Sequence, residues 1–227
     1  MKRVITALLA ALLVLSLAAC GSGVETKKLA GTWTCTIDVT DRMNAAAEQA
    51  LGLSAADGTA QMPLQLVLTV AEDGAYTLRY DSDAVRTALD AYAAALHPAA
   101  VESVYAAAEE QGLSREEYDA AMEKAGITMD DMVAAIFAGV DEEELLSLLT
   151  GRSAALTGYC RAESGQLYLA DTAAELAETA DCLSYTLSDG TMTWTDAQGE
   201  LSSQLTEQEQ ELLRVPLTWT KRAEESK

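Results

Sequence analysis

The sequence predicts a mainly β protein with an α insertion. Its core is an eight-stranded antiparallel meander barrel carrying a roughly five-helix insertion between strands 3 and 4. Three observations predict this. Apolar and polar residues alternate in short runs on both sides of the chain's middle. Tight Gly-containing turns join most of these runs in pairs. Between residues 83 and 151 the apolar spacing changes to that of amphipathic helices, punctuated by caps and glycine stops.

A leader precedes the barrel. Lys2 and Arg3 are followed by Val4 to Ala19, apolar apart from Thr6 and Ser16 and short for a span of ~20 residues. It ends in Leu17-Ala18-Ala19-Cys20, which resembles the lipobox of bacterial lipoproteins: aliphatic, small, small, Cys. The resemblance implies cleavage between Ala19 and Cys20, acylation of Cys20 with palmitate-type chains, and residence on the extracytoplasmic side of the cell membrane. The alternative is an ordinary cleaved signal peptide with an incidental Cys20. Gly21-Ser22-Gly23 is a flexible tether. The expected division is 1–19 signal peptide, 20–28 lipidated Cys and tether, 29–82 and 152–222 barrel, 83–151 helical insertion and 223–227 tail.

Strand 1, about 31–39, faces Trp33, Cys35, Ile37 and Val39 one way and threonines and Asp38 the other. Thr40 to Leu51 is Ala-rich and predicts a helix ending at Gly52. Strand 2 (64–71) aligns Leu64, Leu66, Leu68 and Val70, turns at Glu72-Asp73-Gly74, and returns as strand 3 (75–81) through Tyr76, Leu78 and Tyr80.

The insertion opens with Val85, Leu89, Tyr92 and Leu96 at helical spacing. His97-Pro98 predicts the end of that helix and the start of another, because the residue before proline is biased away from helix. The second helix carries Val101, Val104, Tyr105 and Ala108 and stops at Gly112. Three short units follow, starting at Leu113-Ser114-Arg115-Glu116-Glu117-Tyr118, Ile127-Thr128-Met129-Asp130-Asp131-Met132 and Val140-Asp141-Glu142-Glu143-Glu144-Leu145. Each pairs a capping residue with an acid three places on and frames both with apolar residues, a capping box with a hydrophobic staple. Gly126, Gly139 and Gly151 end them.

Strands resume at 154–162 and 166–170 around Ser164-Gly165, and at 182–188 and 191–196 around Asp189-Gly190. Asp171 to Asp181 is a polar connection with a helical turn or two. Thr206 to Leu213 predicts a brief helix, and 216–222 closes the sheet.

The net charge is −21; losing the leader removes Lys2 and Arg3 and leaves −23. So acidic a surface argues against nucleic acid, whose binding rests on Lys and Arg neutralising phosphates. After Cys20, three cysteines remain: Cys35, Cys160 and Cys182. The odd count allows at most one internal bridge and leaves at least one free thiol. Their spacing suggests no metal site, and no D-x-[DN]-x-[DN]-G calcium run is present.

Gly31-Thr32-Trp33 on strand 1, with the hairpins Tyr159…Gly165…Leu169 and Tyr185…Gly190…Trp194, resembles the lipocalin-like (calycin) domains of bacterial lipoproteins. The resemblance covers 29–81 and 152–222. It implies a barrel whose Trp33 plugs one end beneath a base from the last strand, where Lys221 stands. At most it implies binding of a small apolar ligand. The residues expected to line the barrel or a ligand are Trp33, Leu66, Leu68, Tyr76, Leu78, Tyr185, Trp194 and Trp219. The helical insertion is a departure from the family.

No catalytic residue and no cofactor are expected. His97 is the sole histidine and stands at a helix junction, and neither Gly-x-Ser-x-Gly nor His-Glu-x-x-His occurs. The functional expectation is a non-catalytic, membrane-anchored binding module for a small apolar ligand or peptide. The alternative is an envelope protein-interaction lipoprotein that docks a partner on the helices. A hydrolase using a carboxylate pair is the third reading.

Overall fold

The computed structural model of the chain describes residues 24–53, 60–138, 147, 155–177, 182–198 and 213–223. The elements in order are β1 (Gly31–Asp38), α1 (Thr40–Leu51), β2 (Pro63–Val70), β3 (Ala75–Tyr80), α2 (Ser82–Glu110), α3 (Arg115–Ala125), α4 (Met129–Phe137), β4 (Leu156–Glu163), β5 (Gln166–Ala170), α5 (Ala173–Leu176), β6 (Cys182–Ser188), β7 (Thr191–Gln198) and β8 (Leu217–Lys221). The eight strands form a closed antiparallel barrel in sequence order. β8 returns to β1 through Trp33↔Lys221 and Thr34↔Thr220. Closure removes the exposed edges that an open meander would leave for aggregation.

The expected hairpins form for local reasons. Ser164-Gly165 and Asp189-Gly190 both take positive φ at the two turn positions. That is the turn whose twist matches paired strands. β3 pairs with β4 across the whole insertion, from Ala75↔Tyr159 to Leu78↔Leu156. The helices are therefore an interruption between two neighbouring strands of the sheet.

By its internal contacts the described chain forms two compact units. One holds 24–35, 66–80 and the described residues from 155 onward; the other holds 36–53, 60–65 and 81–138. The first buries Trp33, Leu66, Leu68, Tyr76, Leu167, Met192, Trp194 and Trp219. The second buries Ile37, Met43, Met62, Leu64, Val85, Tyr92, Leu96 and Val133. In the second unit the Tyr92 hydroxyl donates to Asn44 Oδ1 at 2.7 Å, tying α2 to α1.

One sequence expectation is corrected here. His97-Pro98 does not divide two helices; α2 runs unbroken through Pro98. A proline inside a helix lacks the N–H for one backbone bond and costs about 3 kcal/mol. The cost is met because Val85, Ala88, Tyr92, Leu96 and Ala100 form one buried stripe on both sides of it, without a change of phase. Over 83–138 the insertion therefore has three helices, α2 to α4.

The capping boxes form as expected. Ser114 and Glu117 exchange bonds at the start of α3, and Thr128 and Asp131 do so at the start of α4. Hydrogen bonds from Ser114 and Thr128 hold the Glu117 and Asp131 carboxyls below the usual carboxylate range. Gly126 ends α3 in the left-handed conformation, with Ile127 N–H reaching back to Met122 O. The third capping unit (140–145), Gly139, Gly151, nearly all of the helix expected over 206–213, and the tail beyond 223 lie outside the described residues.

Candidate functional site

The antiparallel order places three tight turns, the start of β1 and the end of β8 at one end of the barrel. Residues 24–29, which take in the last part of the stretch expected as a tether (20–28) and the first barrel residue, are helical there, with Thr26 and Leu29 buried. Two hydrogen bonds explain this. The Trp33 indole Nε1–H donates to Leu29 O at 2.7 Å, and Thr26 Oγ1 accepts from Ala162 N–H at 3.0 Å. Each gives a buried polar group its partner. The Lys221 Nζ lies 5.3 Å from the centre of the Trp33 ring, within cation–π range. Gly31, at φ +126°, gives the lysine room, since an added Cβ would come within 2.7 Å of Lys221 Cε.

The eight barrel residues singled out from the sequence fall into two groups. Register places Leu66, Leu68, Tyr76 and Leu78 on β2 and β3, with Leu68↔Leu78 directly opposite. It places Trp33, Tyr185, Trp194 and Trp219 on β1, β6, β7 and β8, joined through Tyr185↔Trp194 and Met192↔Trp219. Seven of the eight are buried and Leu78 is half-buried. The wall of a water-filled lumen would show water-accessible surface. Trp219 and Met192 show 0%, while Trp194 keeps 7% and Tyr185 9%. That layer of the barrel is thus filled by its own side chains. The Trp194 and Trp219 rings meet at 4.8 Å, tilted by 46°. Both indole N–H groups are buried without an acceptor in the structure, at a cost of about 1–3 kcal/mol each.

Cys35, Cys160 and Cys182 are all buried and none is in a disulfide. Burial pushes the Cys35 thiol up to about 11 and the Cys160 thiol up to about 12, the latter helped by the charge of Asp73. Both are protonated and poorly nucleophilic near neutral pH. The Cys182 thiol faces Gln166 Oε1 at 3.2 Å.

The second unit carries a surface feature that the sequence reading passed over. Between α2 and α4 lies an open groove of about 550 Å³ lined by Ala93, Ala94, Val133, Ala134, Phe137 and Ala138. At one end His97 and Asp130 share a hydrogen bond of 3.0 Å between Nε2 and Oδ1. His97 is therefore a mid-helix residue tying α2 to α4, not a residue at a helix junction. The signal was present in the spacing 93, 94, 97 and 130, 133, 134, 137, 138, each set one helix face. It is weak because alanine suits any face of a helix.

Among the described residues, no group of three or more His, Cys, Asp or Glu is placed to hold a metal ion. No described helix is long and apolar enough to cross a membrane. The chain matches no family model, no curated protein and no solved structure in comparisons with all three.

Proposed function

We propose that this protein is an exported, lipid-anchored binding protein of the cell envelope. Its barrel, of lipocalin-like type, serves as scaffold, and the groove between α2 and α4 receives an apolar helical segment of another protein. The observation that carries this reading is the groove itself, open and lined mainly by alanines with Val133 and Phe137, in a molecule whose Trp219–Met192 barrel layer is filled. Trp33 beneath Lys221 supports the lipocalin-like assignment. Leu17-Ala18-Ala19-Cys20 supports the anchor, since two or more acyl chains give stable membrane attachment where one is marginal.

The groove is tested by titrating the delipidated protein with a neutral amphipathic helical peptide of Leu and Gln while following amide hydrogen exchange. Slowed exchange within 93–97 and 130–138 is expected. Slowed exchange confined to the strands, or none, removes the groove as binding site. The anchor is tested by palmitate labelling: wild type takes up label and fractionates with membranes, and Cys20→Ala does neither. Unlabelled wild-type protein would sink the lipobox reading.

A second reading is favoured by the two unpartnered indole N–H groups of Trp194 and Trp219. A small apolar ligand with a hydrogen-bond acceptor at one end would satisfy them inside the barrel by displacing side chains of that filled layer. Native mass spectrometry of the purified protein checks it: a bound mass lost in Trp194→Phe supports this reading, and a bare protein counts against it.

A further inference from the structure

We infer that the groove's partner is a cationic amphipathic helix carrying Lys or Arg two turns apart, with small or apolar residues between them. The inference rests on the groove reading above and adds the chemistry of the occupant.

Charge is the first argument. Residues 81–138 hold 12 Asp and Glu against three Lys and Arg. Of those three bases, Arg115 is held by Glu102 at 2.7 Å and by Glu109 at 3.3 Å, and Arg86 lies 4.0 Å from Asp83. A surface of this sign attracts cationic segments and repels acidic ones, which sets partner choice and association rate.

Position is the second. Asp130 stands at one end of the groove with its side chain 87% exposed; Oδ1 meets His97, and the carboxylate still faces water. Asp90 is exposed and precedes Ala93 and Ala94 by one turn on the same face of α2. His97, beside Asp130, is seven residues beyond Asp90, about 10 Å along the helix at 1.5 Å per residue. Two carboxylates thus flank the apolar lining about two turns apart. A helix laid along the groove meets them with bases at i and i+7, while its residues at i+3 and i+4 sit over the alanines. On α2, Ala93 and Ala94 leave no large side chain to hold the incoming backbone away, so small residues there allow a close approach to α2 of about 8 Å.

The test uses three 18-residue helical peptides of one Leu/Ala pattern with Lys, Gln or Glu at the two positions. Each is titrated by fluorescence anisotropy against the delipidated protein. The Lys peptide is expected to bind about tenfold tighter than the Gln peptide, and the Glu peptide weakest. Asp90→Asn and Asp130→Asn should each weaken the Lys peptide about three- to tenfold. Glu123→Gln, which removes an exposed charge away from the groove, should change it by less than about twofold. Ala134→Trp, or Ala94→Leu as a second variant at another exposed position, should abolish binding of every peptide, with helical circular dichroism confirming the fold. Equal binding of the Lys and Gln peptides, lost in Ala134→Trp and Ala94→Leu, overturns the cationic partner but leaves the groove. Equal weakening by Glu123→Gln reduces the attraction to bulk charge and also overturns it. Binding that survives both groove-filling variants, or no binding by any peptide, overturns the groove reading itself.

Discussion

Gly158 shows how tightly single residues are specified in the barrel. An added Cβ there would collide with the Ala170 carbonyl oxygen and lie 2.9 Å from Tyr76 Cε1. The tyrosine ring can shift slightly, but the carbonyl belongs to the Tyr159↔Ala170 pairing of β4 and β5. Gly158→Ala is therefore expected to destabilise by about 3 kcal/mol, as overpacking of a core does, measured by urea unfolding. A loss below about 0.5 kcal/mol would mean the strands have slack. Cys35 and Cys160 make a second prediction at this scale. Buried and held protonated, they should resist iodoacetamide at pH 8 in the native protein. In the denatured, unreduced monomer, Cys35, Cys160 and Cys182 should all take label. Two missing labels would reveal a bridge. The odd cysteine count could show only that one thiol stays free, because pairing depends on which strand faces bring sulfurs together.

At the scale of elements, α2 is the instructive case. The stripe Val85, Tyr92, Leu96 was legible because its spacing is helical, and so were the capping boxes of α3 and α4, because their partners lie three residues apart. The continuity of α2 through Pro98 was not legible. Local preference favours a break there, and only burial on both sides outweighs it. Pro98 is exposed and its ring contributes little packing. Pro98→Ala should restore the backbone bond to Ala94 and stabilise the protein by about 1–3 kcal/mol, read as a higher unfolding midpoint in thermal or urea melts. An unchanged or lower midpoint would mean that the proline terminates a helix after all.

At the scale of the whole molecule, the question is how far the sheet depends on the helices. Trp33, Trp194 and Trp219 lie in the first unit, held by Leu29 O, by Lys221 and by each other. The second unit contains α1 together with α2 to α4, and Asn44 on α1 takes its hydrogen bond from Tyr92 on α2. Replacing 83–151 with a short turn should therefore keep the near-UV tryptophan signal. It should also lower the unfolding midpoint, because Asn44 and the buried face of α1 lose their cover. A deletion product without fixed tryptophan signals would show that the strands cannot order alone.

The sequence by itself determined the strand order, the hairpin turns, the caps of α3 and α4 and the buried faces of the first two strands. These rest on neighbours a few residues apart, and period-2 and period-3.6 patterns record which side meets the core. Barrel closure through Trp33↔Lys221 was anticipated by resemblance, but the pairing itself joins residues 188 positions apart and leaves no local trace. The tertiary structure alone decided the helix over 24–29, the continuity of α2, the burial of all three thiols and the groove between α2 and α4. Each depends on what a residue meets across space. Thr26 is a polar residue in a short linker until Ala162 N–H needs an acceptor, and Ala93 and Ala134 are ordinary helix formers until two helices set them side by side.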